Sequence, residues 1–247
     1  MNFSLRPFLL IVALSTPLLA EEPTKDLQDA LAALKLPGVK IDLEERAVDV
    51  TAIVNLDEGL LEFVACTKDT KEHESIVKIQ AKPSHIHTAL LLLGAKAGHP
   101  AIRKIVGEGD DQRWIDLPPK GSAVTVSFVT TDDGGEQTER PLSAFVTRMN
   151  EEGEPNLEEA AKRLKIFLFA GSNLYGDGEG PKTYLADRSG SVISLTTFGD
   201  ELLCLPEIYG HENHALLWEL NSKHLPKIGA EIILRLRPQT NIKSPKR

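Results

Sequence analysis

Four of the chain's seven histidines, His73, His85, His87 and His99, fall within one stretch of 27 residues. Imidazoles at this density are the raw material of a zinc or copper site, which needs three protein ligands even when catalytic. Spacing decides whether they can meet. On a strand, His85 and His87 would point to one side and chelate; on a helix they lie roughly 200° apart and cannot share an ion. Ser84 is a good N-cap residue, and no breaker follows before Gly94, so a helix is predicted here. A strand of about eight residues, roughly 26 Å long, separates His73 from His85, and the helix returns by only ~12 Å. The one metal set this leaves is His73, Glu74 and His99. "HESIV" at His73 is not the H-E-x-x-H of zinc proteases.

Other chemistry is weaker still. The first turn of the predicted helix offers free N–H groups, so Ser84 and His87 could receive an anion. The same N-terminus disfavours an imidazolium and keeps His87 neutral. Ser172 follows a strand in "FAGSN", which is not G-x-S-x-G. Asp187 with His211 or His214 completes a triad only on paper. "GDGEG" at Gly176 is too acidic to cradle phosphate, and Asp177 and Glu179 are far from a calcium-loop pattern. Trp114, Trp218 and Tyr209 show no stripe. No cofactor motif is present.

The elements that must position these residues read as mostly β. Val39 to Leu43, Val48 to Val54 and Val77 to Ala81 alternate with period two, and Gly229 to Pro238 is a further strand candidate. Leu90 to Leu93 are apolar on every side, which predicts a helix buried all round. About ten strands and two or three helices give an α+β class: mostly antiparallel sheet, one helix buried. A Gly- and charge-rich loop at 94–109 could divide two subdomains. "KTYLADRSGSVISLTTF" reads as a hairpin turning at Asp187 to Gly190.

"MNFSLRPFLLIVALSTPLLA" has the charged start, apolar run and small terminal residue of a secretory leader over 1–20. Residues 21–38 carry Leu27, Ala30, Leu31 and Leu34 on one helical face, ended by Pro37-Gly38. Residues 39–238 form the folded unit and 239–247 a basic tail. The expected compartment is periplasmic or extracellular, with no membrane span once the leader is cleaved. There, Cys66 and Cys204 could bridge or remain small buried hydrophobes. A net charge of −8 speaks against a nucleic-acid partner.

"KEHESIVKIQAKPSHIHTALLLLGAKAG", "FLFAGS", "YLADRSGSVISLTTFGDELLCLP" and "LPKIGAEIILRLRP" resemble the YdjY-domain proteins, an exported bacterial family of unknown function. The resemblance spans Val39 to Pro238. It implies one domain type in the bacterial envelope and brings no activity, substrate or cofactor. Iron–sulfur chemistry associated with some members does not carry over, because two cysteines cannot hold a typical cluster. The resemblance also singles out the His-Glu-Ser step, a sequence hard to explain as packing in a polar loop. It places His73, Glu74 and Ser75, joined by Ser172 and Asp187, on a binding surface. The expected function is an exported binding or interaction domain for a small ligand or an envelope protein. The metal-dependent alternative uses His73, Glu74 and His99.

Overall fold

Ile232, Leu234 and Leu236 alternate with Ile233, Arg235 and Arg237 near the end of the chain, and Leu234 and Leu236 find apolar neighbours on both sides. The row Val50–Leu234–Phe128 is fully buried, and Val48–Leu236–Val126 runs beside it. These rows belong to an eight-stranded ring seen in the computed structural model, which describes residues 34–239 except 133, 151, 177, 179 and 211–216. The strands are β1 (Ala47–Val54), β2 (Phe63–Thr67), β3 (Ser75–Ile79), β4 (Ala123–Thr131), β5 (Phe167–Phe169), β6 (Ser191–Ser194), β7 (Leu203–Cys204) and β8 (Glu231–Pro238). Around the ring they run β1-β8-β4-β5-β7-β6-β2-β3, and β3 pairs with β1 to close it. Pairing is antiparallel except for β2 with β3 and β6 with β7.

This corrects the α+β class: the molecule is a closed β-barrel with helices attached. Closure depends on β1, whose first half pairs outward with the strand Val39–Asp42 and whose second half pairs with β3. Such division of one strand between two partners leaves no trace in hydrophobic periodicity. The barrel strands come from both sides of the 94–109 segment, which leaves the ring after α1 and returns to it at β4. It contains the strands Ala97–His99 and Ile102–Val106.

Three helices are described: α1 (Pro83–Leu92), α2 (Leu157–Arg163) and α3 (Leu185–Ser189). α1 starts two residues earlier than predicted from Ser84 as its cap. Lys82 is its N-cap and Pro83 sits at its first position, where a missing N–H costs nothing. It is not buried all round. Ile86, Ala89 and Leu90 pack inward, while Leu91 and Leu92 are 46% and 47% exposed. The hairpin expected at Asp187 is instead helix α3, ended by Gly190 at φ +80°. Pro37–Gly38 form a turn that leads into the strand Val39–Asp42. The leader, residues 21–33, Asp177, Glu179, His211, His214 and the tail from 240 lie outside the described residues.

On the outer face the same register aligns charges. Arg235 binds Asp49 through Nε and Nη2 at 2.6 and 2.7 Å, and Arg235 and Arg237 both bind Glu139. The Arg237 guanidinium, together with Ser127 and Arg235, holds the Glu139 carboxyl down at about 2 against partial desolvation. A carboxylate with a depressed folded pKa contributes stability above its ordinary value of 4.5, and loses it as pH falls toward 2. The contribution is on the order of 1–2 kcal/mol once solvent screening is allowed for. Glu139→Gln should therefore be less stable than the parent at pH 7 by that amount. The difference should vanish at pH 2, as read by urea melts at the two pH values.

Candidate functional site

Ser84, His87, Ser172 and Asp187 come from three separated segments and meet where α1 begins. The Asp187 carboxylate, in the first turn of α3, accepts the Ser84 N–H at 2.8 Å and the Ser84 hydroxyl at 2.7 Å. A carboxylate here satisfies an orphan helix donor and complements the positive end of the helix dipole. The anion position expected at Ser84 is thus taken by the protein's own side chain.

His87, one turn further along α1, meets the same segment at Tyr184. Its Nδ1 lies 2.8 Å from the Tyr184 hydroxyl, which donates its hydrogen to Gly171 O at 2.9 Å. The tyrosine has one hydrogen, so His87 must supply the other through Nδ1–H, leaving Nε2 unprotonated. The ring stands edge-on to Phe169, with centroids 4.7 Å apart. Burial pushes the His87 pKa below 6.5, so the ring is neutral at pH 7. Burial likewise raises the Tyr184 hydroxyl.

Ser172 holds the junction together under strain. It sits at φ +52°, a left-handed conformation uncommon for a residue with a side chain. Its hydroxyl donates to Asp200 O at 2.6 Å and accepts from Ala186 N at 3.0 Å. Its N–H donates to Glu201 O. The Ser172 proton goes to a carbonyl, and among the described residues no base meets its hydroxyl. Glu201 beside it is fully buried, with its carboxylate bound to the N–H groups of Phe198 and Gly199. Burial raises its pKa. Two buried polar atoms on these segments, His85 Nδ1 and Asp200 Oδ1, have no hydrogen-bond partner. Such atoms are rare in folded proteins.

Beside Asp187 opens a cleft of about 350 Å³ lined by Thr67, Lys68, Ile79, Gln80, Ala81, Lys82, Pro83 and Asp187. Lys68 and Lys82 are exposed at its mouth. Among the described residues the Lys68 ammonium reaches only Asp69, at 3.9 Å.

The other predicted residues lie elsewhere. His73–Ser75 open β3 at its Phe63 end, whereas the cleft sits at its Ile79 end. Glu72–Glu74 form a single 3₁₀ turn, and the buried Ser75 hydroxyl closes it by donating to Lys71 O at 2.6 Å. His73 is exposed and touches only Glu74, 3.4 Å away. His99 Nδ1 bonds Pro100 O. Among the described residues no three His, Cys, Asp or Glu side chains converge as metal ligands, so His73, Glu74 and His99 do not form the alternative site. Cys66 and Cys204 are free and buried, on strands separated by β6. Sequence reasoning missed Tyr184, Gly171, Lys68 and Lys82. Only tertiary contact distinguishes them from ordinary surface or loop residues.

No helix of the described residues is long and apolar enough to cross a membrane. No curated protein and no solved structure matches the chain. The model of the YdjY domain matches residues 39–237, which takes in the barrel up to the last residue of β8 and the junction at α1, and the chain therefore belongs to the YdjY domain family.

Proposed function

We propose that this protein is an exported, non-catalytic binding domain that receives a small anionic ligand in the cleft beside Asp187. The observation that carries the reading is the pairing of that cleft with the junction next to it. Lys68 and Lys82 present ammonium groups at an opening of about 350 Å³, and one wall is the Asp187 side chain held by Ser84. Gln80 adds a donor that suits a carboxylate or phosphate oxygen. Backbone strain at Ser172 and a dense interlock of hydrogen bonds keep the wall rigid, which lowers the entropic cost of binding. The leader-like first 20 residues support export to the periplasm or beyond. The helix N-terminus does not itself hold the ligand, because Asp187 already occupies it.

Calorimetric titration with inorganic phosphate and a panel of small mono- and dicarboxylates tests this. At least one member should bind, and Lys68→Glu with Lys82→Glu should weaken it at least tenfold. Metal analysis of the same preparation guards against the alternative. Stoichiometric zinc or copper, lost on His73→Ala, would overturn the non-catalytic reading.

A further inference from the structure

The excursion between β3 and β4 carries a second feature, remote in sequence from the cleft residues. Ile102–Val106 and Arg113–Leu117 form an antiparallel two-stranded ribbon whose hydrogen-bonded partners are each other alone. An isolated ribbon of two strands is marginal in water and gains stability by covering an apolar face. This one leaves such a face open. Ile105 and Trp114 stand directly opposite each other and are 50% and 63% exposed. On the same face Arg103 binds Asp116 through Nε and Nη2, at 2.8 and 3.1 Å. A tryptophan and an aliphatic side chain beside a fixed arginine are the residue types that dominate protein interfaces.

The tip of the ribbon specifies what can cover it. Glu108, Asp110 and Asp111 are all exposed there, and unlike Asp116 they take no ion-pair partner among the described residues. Three carboxylates next to an apolar pair are repelled by an anionic lipid surface and by a chain that is itself net −8. They are complementary to a basic rim.

We propose that the outer face of this ribbon docks a protein partner whose apolar groove or strand is flanked by lysines or arginines, with Trp114 and Ile105 as the anchors. The carboxylates steer the encounter and Trp114 supplies most of the affinity. The site is independent of the cleft beside Asp187.

The test uses the purified protein as bait for a random peptide library displayed on phage. Enriched peptides should combine aliphatic or aromatic residues with lysine or arginine. Trp114→Ala should weaken a synthetic version of the leading peptide at least tenfold without changing the melting temperature. Glu108→Lys, Asp110→Lys and Asp111→Lys together should shift the selection toward acidic peptides. The proposal is overturned by no enrichment above a blank surface, by enrichment of neutral or acidic peptides on the parent protein, or by binding indifferent to Trp114→Ala. A dimer at tens of micromolar that Trp114→Ala dissolves would assign the face to a second copy instead. Sedimentation with phosphatidylglycerol vesicles, lost in the same variant, would assign it to a membrane.

Discussion

Phe128→Ala is expected to lower the free energy of unfolding by about 3–5 kcal/mol, the largest effect of any single substitution considered for this barrel. Phe128 is fully buried on β4, lies in one cross-strand row with Leu234 and Val50, and meets Phe145 edge-on with centroids 5.1 Å apart. Phe145 is brought in by the 3₁₀ turn Leu142–Ala144 that follows the outer strand Gln137–Pro141. Truncation removes the transfer free energy of the ring and leaves a cavity that a closed ring of strands cannot readily collapse. Since a domain holds only about 5–15 kcal/mol in all, the melting temperature should fall by roughly 10 °C or more. Leu91→Ala, on the exposed side of α1, should cost under about 1 kcal/mol. Equal losses for the two in a denaturant melt would mean that the row through Phe128 is not an interior row.

Gly171→Ala should produce the second-largest loss, about 2–4 kcal/mol, together with disruption of the junction. Gly171 takes φ +80°, and a Cβ there would stand 2.8 Å from Ala97 Cβ and 3.2 Å from His87 Cε1. The left-handed backbone costs about 1 kcal/mol for a residue with a side chain, and the clash adds an overpacking term of about 1–3. The displaced imidazole would lose its bond to Tyr184, so the His87 ring should then titrate differently by NMR. Gly229→Ala is the matched control. Gly229 sits at φ +85° with nothing within 4 Å of the added methyl, so only the backbone cost of about 1 kcal/mol applies. If the two substitutions cost the same, Gly171 is not in contact with His87 and the junction is not built as described.

These contrasts show what could be read from residues alone. The strands Val39–Asp42 and Ala47–Val54 alternate so regularly that both their existence and their buried face were legible, and Glu231–Pro238 was legible as a strand. The helix at Pro83 was legible from its run without breakers, and with it the separation of His85 from His87. Barrel closure was not, because it depends on the pairing of β1 with β3 and on which strands run parallel. Those are matters of register over long sequence distance. The leucine run misled for a local reason: a helix lying on a barrel surface buries one side, and Leu91 and Leu92 fall on the other. The Asp187 segment misled because Gly190 serves as a helix C-cap and not as a hairpin turn. The site was half legible. Ser84, His87, Ser172 and Asp187 were each singled out, for an anion, a nucleophile or a surface. That they meet at one point, with Tyr184 and Gly171 between them, is decided by strands β5 and β6 and the loops that leave them. The bond from the Ser75 hydroxyl to Lys71 O was not legible in sequence.

The claim on which the functional account rests is that ligands enter beside Asp187, at the Ile79 end of β3. Amide chemical-shift mapping tests it most directly, with whichever phosphate or carboxylate gives the strongest calorimetric signal. Shifts confined to Thr67–Lys68, Ile79–Ser84 and Asp187 are the predicted result. Shifts centred on His73–Ser75 and His99, with the cleft residues unmoved, would contradict it.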